Sequence, residues 1–197
     1  MIRVFIGTDG DIHQDAEKVL EYSIRNNTNQ PVDVTFMRPG WKNGVTGFTT
    51  HRYMIPMLCN FEGYAIYLDV DMIALEDLED LWGYRTPGKW CTTNAQDDDV
   101  SVIDCSAFTD LNDVELLKKA PGGQTKQIVR RQIGNRYFAN ISPLWNVEDK
   151  VIPNAKLIHY TALNTQPWKP NPKEQYKDHP SPEAVDLFFE YLDLANG

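Results

Sequence analysis

At 197 residues the chain has the size of one ordinary domain and can bury a core without disulfide or metal staples. With 42% hydrophobic and 24% charged residues it belongs to the globular class and not to the disordered one. A net charge of −9, from 28 acidic and 19 basic residues, argues against nucleic acid, whose phosphates ask for a basic face, and makes an anionic ligand hard to hold unless a divalent cation reverses the local charge.

Val4-Phe5-Ile6 predicts a short buried strand, with Gly7-Thr8-Asp9-Gly10-Asp11 as a turn at its exit. Ala16, Val19, Leu20 and Ile24 recur at helical spacing, Asp15 is placed to cap the helix they mark, and Asn26 to Pro31 ends it. Val32-Asp33-Val34-Thr35-Phe36 alternates and is β-branched, which predicts a second strand and a βαβ opening. Pro39 to Gly47 is a loop. Thr49 to Leu58 suits a helix capped by Thr49 or Thr50 and distorted at Pro56. Gly63 then leads into Tyr64-Ala65-Ile66-Tyr67-Leu68, an apolar run suited to a strand buried on both faces of a parallel sheet. Asp69-Val70-Asp71 closes that run, and Leu75, Leu78 and Leu81 mark a short helix.

Lys89 to Thr93 and Val100 to Asp104 predict two further strands. Asn112 to Ala120 predicts a helix ended by Pro121-Gly122-Gly123, and the stretch from Gln124 to Asn140 has no single pattern. Ala155 to Tyr160, with His159 at its end, predicts a strand. Pro167 to Pro182 predicts an extended crossing, and Pro182 to Ala195 an amphipathic helix apolar at Val185, Leu187, Phe188 and Leu192. The order favours one α/β domain over 1–197 with a mixed sheet, residues 167–197 forming the proline-rich crossing and last helix.

The three cysteines, Cys59, Cys91 and Cys105, are widely spaced without a CxxC pair, which predicts free buried thiols and no zinc knot. No segment approaches the ~18 consecutive apolar residues of a membrane helix. The first residues lack the long apolar stretch of a signal peptide, so the expectation is a cytoplasmic protein with no transmembrane segment.

Asp69 and Asp71 are two apart at the end of an apolar strand, where residues i and i+2 project to one face. The carboxyl end of a parallel strand is where open α/β sheets bind ligands. Two carboxylates converging there repel each other unless a cation sits between them, and hard oxygen ligands suit magnesium or manganese, which complete their shells with substrate phosphates. The competing use of such a pair is to begin a turn and cap the next helix. His159 also ends an apolar strand, and its imidazole is a suitable third ligand for manganese or an ordinary structural histidine. An aspartyl-phosphate use of the pair, as in haloacid-dehalogenase-like phosphatases, fits poorly, because the motif continues Asp71-Met72-Ile73 and lies far from the N-terminus.

The stretch from Thr50 to Trp82, THRYMIPMLCNFEGYAIYLDVDMIALEDLEDLW, resembles glycosyltransferase family 8, with an Arg-containing helix, an apolar strand ending YLDxD and a short helix after it. Further similarities follow in order: Val4 to Asp9 with the first strand and uridine-binding turn, and Asp97 to Asp104 with "NxGvmvid". Pro143-Leu144-Trp145-Asn146 is similar to "p.kWN", and Ile158-His159-Tyr160 followed by Pro167-Trp168 to the closing "iHfxGxxKPW". The resemblance implies a GT-A (nucleotide-diphospho-sugar transferase) fold, Rossmann-like with a mixed, mainly parallel sheet. It also implies a UDP-hexose donor, an acceptor that is a sugar, protein or lipid, a manganese (or magnesium) ion, and retention of anomeric configuration.

Carried over, Asp69 and Asp71 bind metal and donor, and His159 binds metal. Gly7, Thr8 and Asp9 face the base and ribose, and Arg52 approaches the donor sugar or phosphates. Asp97 stands where the family has a sugar-contacting Asn. Asp97, Asp98 and Asp99 are the carboxylates expected near the reaction, with Asp97 and Asp99 as the catalytic candidates, against a plain role as a solvated acidic loop. Gln127 and Gln132 are the stand-ins for the family's acidic/amide segment, Gln132 being the catalytic candidate. The family's closing lysine is replaced by Gln166, with Lys169 as the substitute. That loss motivates a second reading, a nucleotide-sugar-binding module without turnover. A sugar nucleotidyltransferase is disfavoured because the loop after the first strand is acidic where that class has basic residues. Trp41, Trp82, Trp90, Trp145 and Trp168 suit either sugar stacking or packing, and Trp41, in its Gly-rich loop, is the one placed for a lid or acceptor role.

Overall fold

The computed structural model describes residues 1–38, 48–94, 97–119, 122–169 and 175–197. Trp41 lies outside the described residues, as does the Asp97 side chain, although the Asp97 backbone is described.

The chain opens as expected with strand β1 (Ile2–Gly7), helix α1 (Gln14–Asn27) and strand β2 (Val32–Met37). The two strands run parallel, so the helix is the crossover between them. Helix α1 buries Ala16, Val19, Leu20 and Ile24, the stripe seen in the sequence. Asp15 does not cap it: His13 is the N-cap residue without a side-chain bond, and Asp15 lies in the first turn, where its charge favours the helix dipole. The region after residue 48 is a 3₁₀ turn (His51–Met54) running into the short helix α2 (Ile55–Leu58). Pro56 does not distort this helix, because it sits in the first turn, where its missing N–H costs nothing.

Strand β3 (Tyr64–Asp69) is the centre of the molecule. It is followed by β4 (Met72–Ala74), α3 (Leu78–Trp82), β5 (Trp90–Asn94) and β6 (Asp97–Asp104). Helices α4 (Val114–Lys119) and α5 (Gly122–Ile133) come next. Helix α4 ends at Lys119, ahead of the glycines as expected, and Gly122 and Gly123 also begin the next helix, where the first N–H groups need no intrahelical partner. Strands β7 (Phe138–Asn140), β8 (Val147–Glu148) and β9 (Leu157–His159) and helix α6 (Pro182–Asn196) complete the chain. Ser181 caps α6 by accepting from the Ala184 N–H.

The main sheet has the order β2-β1-β3-β6-β5-β7. β1 is parallel to β2 and β3, β5 is parallel to β7, and β6 runs against both β3 and β5. A smaller sheet, β4-β9-β8, pairs β4 antiparallel with β9. Alternation along β3 divides the core. Ile66 and Leu68 join the cluster under α1, α6 and the small sheet, while Ala65 and Tyr67 join the cluster containing Tyr53, Trp90, Phe108 and Val129. All three cysteines are free and buried. Among the described residues, no helix is long and apolar enough to cross a membrane.

Candidate metal and donor site

Strand order brings the acidic residues together. Because β6 is antiparallel to β3, with Leu68 opposite Val100, the start of β6 lies beside the end of β3, and Asp99 reaches Asp69. The chain then bends at Val70–Asp71, where the Val70 N–H donates to the Gly7 carbonyl (3.1 Å). The next strand pairs Met72 with His159, and the Tyr160 N–H donates to the Asp71 carbonyl (2.8 Å). Asp69 and Asp71 therefore do not share one strand face, because Asp69 ends β3 and Asp71 lies in the bend.

Arg52, 1% exposed, is the hub. Its Nη2 donates to Asp69 Oδ1 and Oδ2 (3.0 and 3.2 Å), and its Nη1 donates to Asp98 Oδ1 (3.0 Å) and Asp99 Oδ1 (2.5 Å). The guanidinium also stacks over the Tyr67 ring at 4.6 Å. The Tyr67 hydroxyl donates to Asp69 Oδ1 (2.5 Å). Tyr67 lies two residues before Asp69 on the same strand face, a signal the alternation of β3 could have given. Asp98 is wholly buried and saturated: beyond Arg52, it accepts from the Tyr53 hydroxyl (2.7 Å) and faces Arg130 Nη1 at 3.1 Å. It is structural, and nothing in the run Asp97-Asp98-Asp99 separates it from Asp99.

His159 Nδ1 donates to Asn146 Oδ1 (2.8 Å), which leaves Nε2 facing Asp71 Oδ1 at 3.2 Å. An orienting partner of this kind fixes the tautomer of a metal-binding histidine. Asp71 Oδ2 accepts from Gln166 Nε2 (3.0 Å), which also donates to the Tyr160 carbonyl. Ligand atoms of Asp69, Asp99 and His159 lie within 4.8 Å of one another. The expected trio was Asp69, Asp71 and His159. The compact group found has Asp99 in place of Asp71, which touches His159 from beside it. Asp71 Oδ1 is buried and accepts no hydrogen bond. Carboxylate oxygens with one imidazole nitrogen and an unsatisfied buried oxygen fit a divalent cation of the manganese or magnesium type.

The electrostatics agree. Burial pushes the Asp69 carboxyl up to about 8, with Arg52 opposing and Asp99 and Asp71 adding to the rise. Burial lowers the His159 imidazole, but Asp71 and then Asp99 and Asp69 outweigh it and carry the group up to about 10. The site holds more negative charge than Arg52 offsets, and it binds protons to compensate.

The other expected residues are placed differently. A Cβ on Gly7 meets Tyr67 Oη at 2.2 Å, so the glycine there makes room for the tyrosine that orients Asp69. The Thr8 hydroxyl is engaged inside the protein, donating to Glu17 Oε1 (2.6 Å) and accepting from the Gly10 N–H (3.0 Å), while Asp9 is partly exposed at the same turn. Gln166 is 1% exposed and already bonded to Asp71, whereas Lys169 is exposed and lines a cleft of about 270 Å³ with Gln166, Lys177 and His179. Gln132 is exposed two residues beyond Arg130, on the far side of α5, and faces another cavity with Met57, Asp110 and Leu117.

Neither a protein-family model nor a curated protein sequence matches the chain. Solved structures do. The apo-form glycosyltransferase GlyE of Streptococcus pneumoniae TIGR4 superposes with a TM-score of 0.71 at 15% identity over 97% of this chain, which spans 59% of that structure. The galactosyltransferase LgtC, solved with donor and acceptor sugar analogs, gives 0.69 at 11% identity, covering 98% of this chain and 96% of that one. The bifunctional glycosyltransferase WbbM gives 0.66 at 13% identity over 98% of this chain and 49% of its own. At these identities the likeness shows the fold, and the fold is GT-A.

Proposed function

We propose that the chain is a metal-dependent glycosyltransferase that moves a hexose from a nucleoside-diphosphate sugar, most simply UDP-linked, to an acceptor with retention of configuration. The observation that carries the reading is the buried carboxylate–imidazole cluster at the end of β3, set in a GT-A fold. A bound divalent ion supplies Lewis-acid and electrostatic stabilisation of the departing diphosphate. The chain's own residues prepare the place. Tyr67 and Arg52 orient Asp69, Gln166 orients Asp71, and Asn146 orients His159. Burial favours the protonated form of Asp69 and the neighbouring carboxylates that of His159, and ligation of a cation competes with those protons. Asp97 remains the expected contributor near the sugar, whereas Gln132 faces a different cavity and any part it plays lies away from the metal cluster.

A second reading, a nucleotide-sugar-binding module without turnover, is favoured by Gln166. An uncharged amide already engaged by Asp71 stands where the resemblance has a cation for the diphosphate. A panel of UDP- and GDP-sugars with manganese separates the two. Manganese-dependent donor hydrolysis, abolished in Asp71→Ala, supports the transferase. Binding without hydrolysis supports the module, and hydrolysis unchanged in Asp71→Ala sinks the metal site's role in either.

A further inference from the structure

We propose that Asp99 is a direct ligand of the divalent cation, and that with it the site holds that ion before any nucleotide arrives. The inference rests on reading the cluster as a metal site. Asp99 stands at the glycine of the "NxGvmvid" pattern, so the resemblance carries no metal-ligand role to it.

Of the adjacent pair opening β6, Asp98 is 0% exposed and spent on Tyr53, Arg52 and Arg130. The Asp99 side chain is 20% exposed, so it has an open side, and its ligand oxygen falls within 4.8 Å of ligand atoms on both Asp69 and His159. Asp99 Oδ1 also accepts from Arg52, and a carboxylate can ligate an ion while it keeps such a bond. Asp71 supplies the second, independent observation. It is 5% exposed, its Oδ1 accepts no hydrogen bond, and that oxygen lies 3.2 Å from His159 Nε2.

Two carboxylates and one imidazole therefore lie within ligand reach of one another, with Asp71 against the imidazole from beside them. An ion of this class usually takes one or two carboxylates and relies on substrate phosphates for the rest of its shell. Here the protein adds an imidazole to two carboxylates and keeps a third carboxylate beside that imidazole, so it supplies more of the shell than that arrangement needs. Binding then no longer waits for the diphosphate.

Calorimetric titration of Mn²⁺ into the nucleotide-free protein tests this. The wild type binds one ion, Asp99→Asn binds at least about tenfold more weakly, and Asp99→Glu, which keeps the carboxylate, recovers part of the loss. Thermal unfolding confirms that each variant is folded. The second measurement is the luminescence decay of bound Tb³⁺ in H₂O and D₂O, which counts waters on the ion. Asp99→Asn gains one water if Asp99 is a ligand. An unchanged water count, or unchanged Mn²⁺ affinity, overturns the assignment of Asp99 while leaving the metal site standing. Wild-type binding that appears only with UDP overturns the nucleotide-independent step. No Mn²⁺ binding with or without UDP overturns the metal-site reading itself.

Discussion

The chemistry of the site turns on how few positive charges face its carboxylates. Arg52 bonds Asp69, Asp98 and Asp99 together, Arg130 reaches Asp98, and burial keeps water from sharing the load. Protons fill the deficit. Asp69 rises from 3.8 to about 8 and His159 from 6.5 to about 10, so both groups bind protons more tightly folded than unfolded. A raised folded pKa contributes stability that is full below the unfolded value and is lost as pH climbs through the folded one. Both shifts have this sign, so the metal-free protein loses stability as pH rises from the Asp69 reference of 3.8 through about 8, and further toward about 10 with His159. A divalent ion competes with those protons. Its affinity therefore increases from pH 6 to pH 8, and calorimetry in buffers of different ionisation enthalpy detects proton release on binding. A pH-independent affinity with no released proton contradicts this account.

At the scale of elements, the site depends on a close approach between two neighbouring strands. Gly7 on β1 pairs with Asp69 on β3, and a side chain at position 7 collides with the hydroxyl of Tyr67 at 2.2 Å. Gly7→Ala is expected to push Tyr67 from Asp69, costing about 1–3 kcal/mol as overpacking does, and to weaken Mn²⁺ binding with it. Urea unfolding and metal titration on the same variant check both effects. If stability falls and metal affinity does not, Tyr67 packs the core without orienting Asp69. β1, α1, β2, β3 and α6 were legible in the sequence because their burial is one-sided or complete over a long run, and β5, β6, α4 and β9 were legible as well, within a few residues at their ends. Those missed were short or paired from afar. β4 and β8 have three and two residues, too few for a period to show, and each exists because β9 lies beside it. The start of α5 at Gly122 was hidden because glycines signal termination in isolation, whereas here the helix interior that follows is held by Val129 and Ile133 in the core.

For the whole molecule, the fold arranges two cores on either side of one sheet and opens the site at the carboxyl end of β3, the edge where open α/β sheets take ligands. A ligand bound only by the folded state stabilises all of it by mass action, about 2.7 kcal/mol at a hundred times its dissociation constant. Mn²⁺ and UDP added together are expected to raise the unfolding temperature more than either alone, and Asp71→Ala is expected to remove the Mn²⁺ share; equal shifts in both proteins contradict the site. The sequence by itself determined the class of fold, the apolar strand carrying Asp69, and the residue types, carboxylates and one distant imidazole, that suit a divalent cation. These follow from local periodicity and side-chain chemistry. Only the tertiary structure decided which carboxylates meet. The antiparallel pairing of β6 with β3 brings Asp99 beside Asp69, the bend at Val70 turns Asp71 aside toward Gln166, and Arg52 crosses between strands to join them. Register and crossing are properties of distant pairs, so no spacing along the chain encodes them.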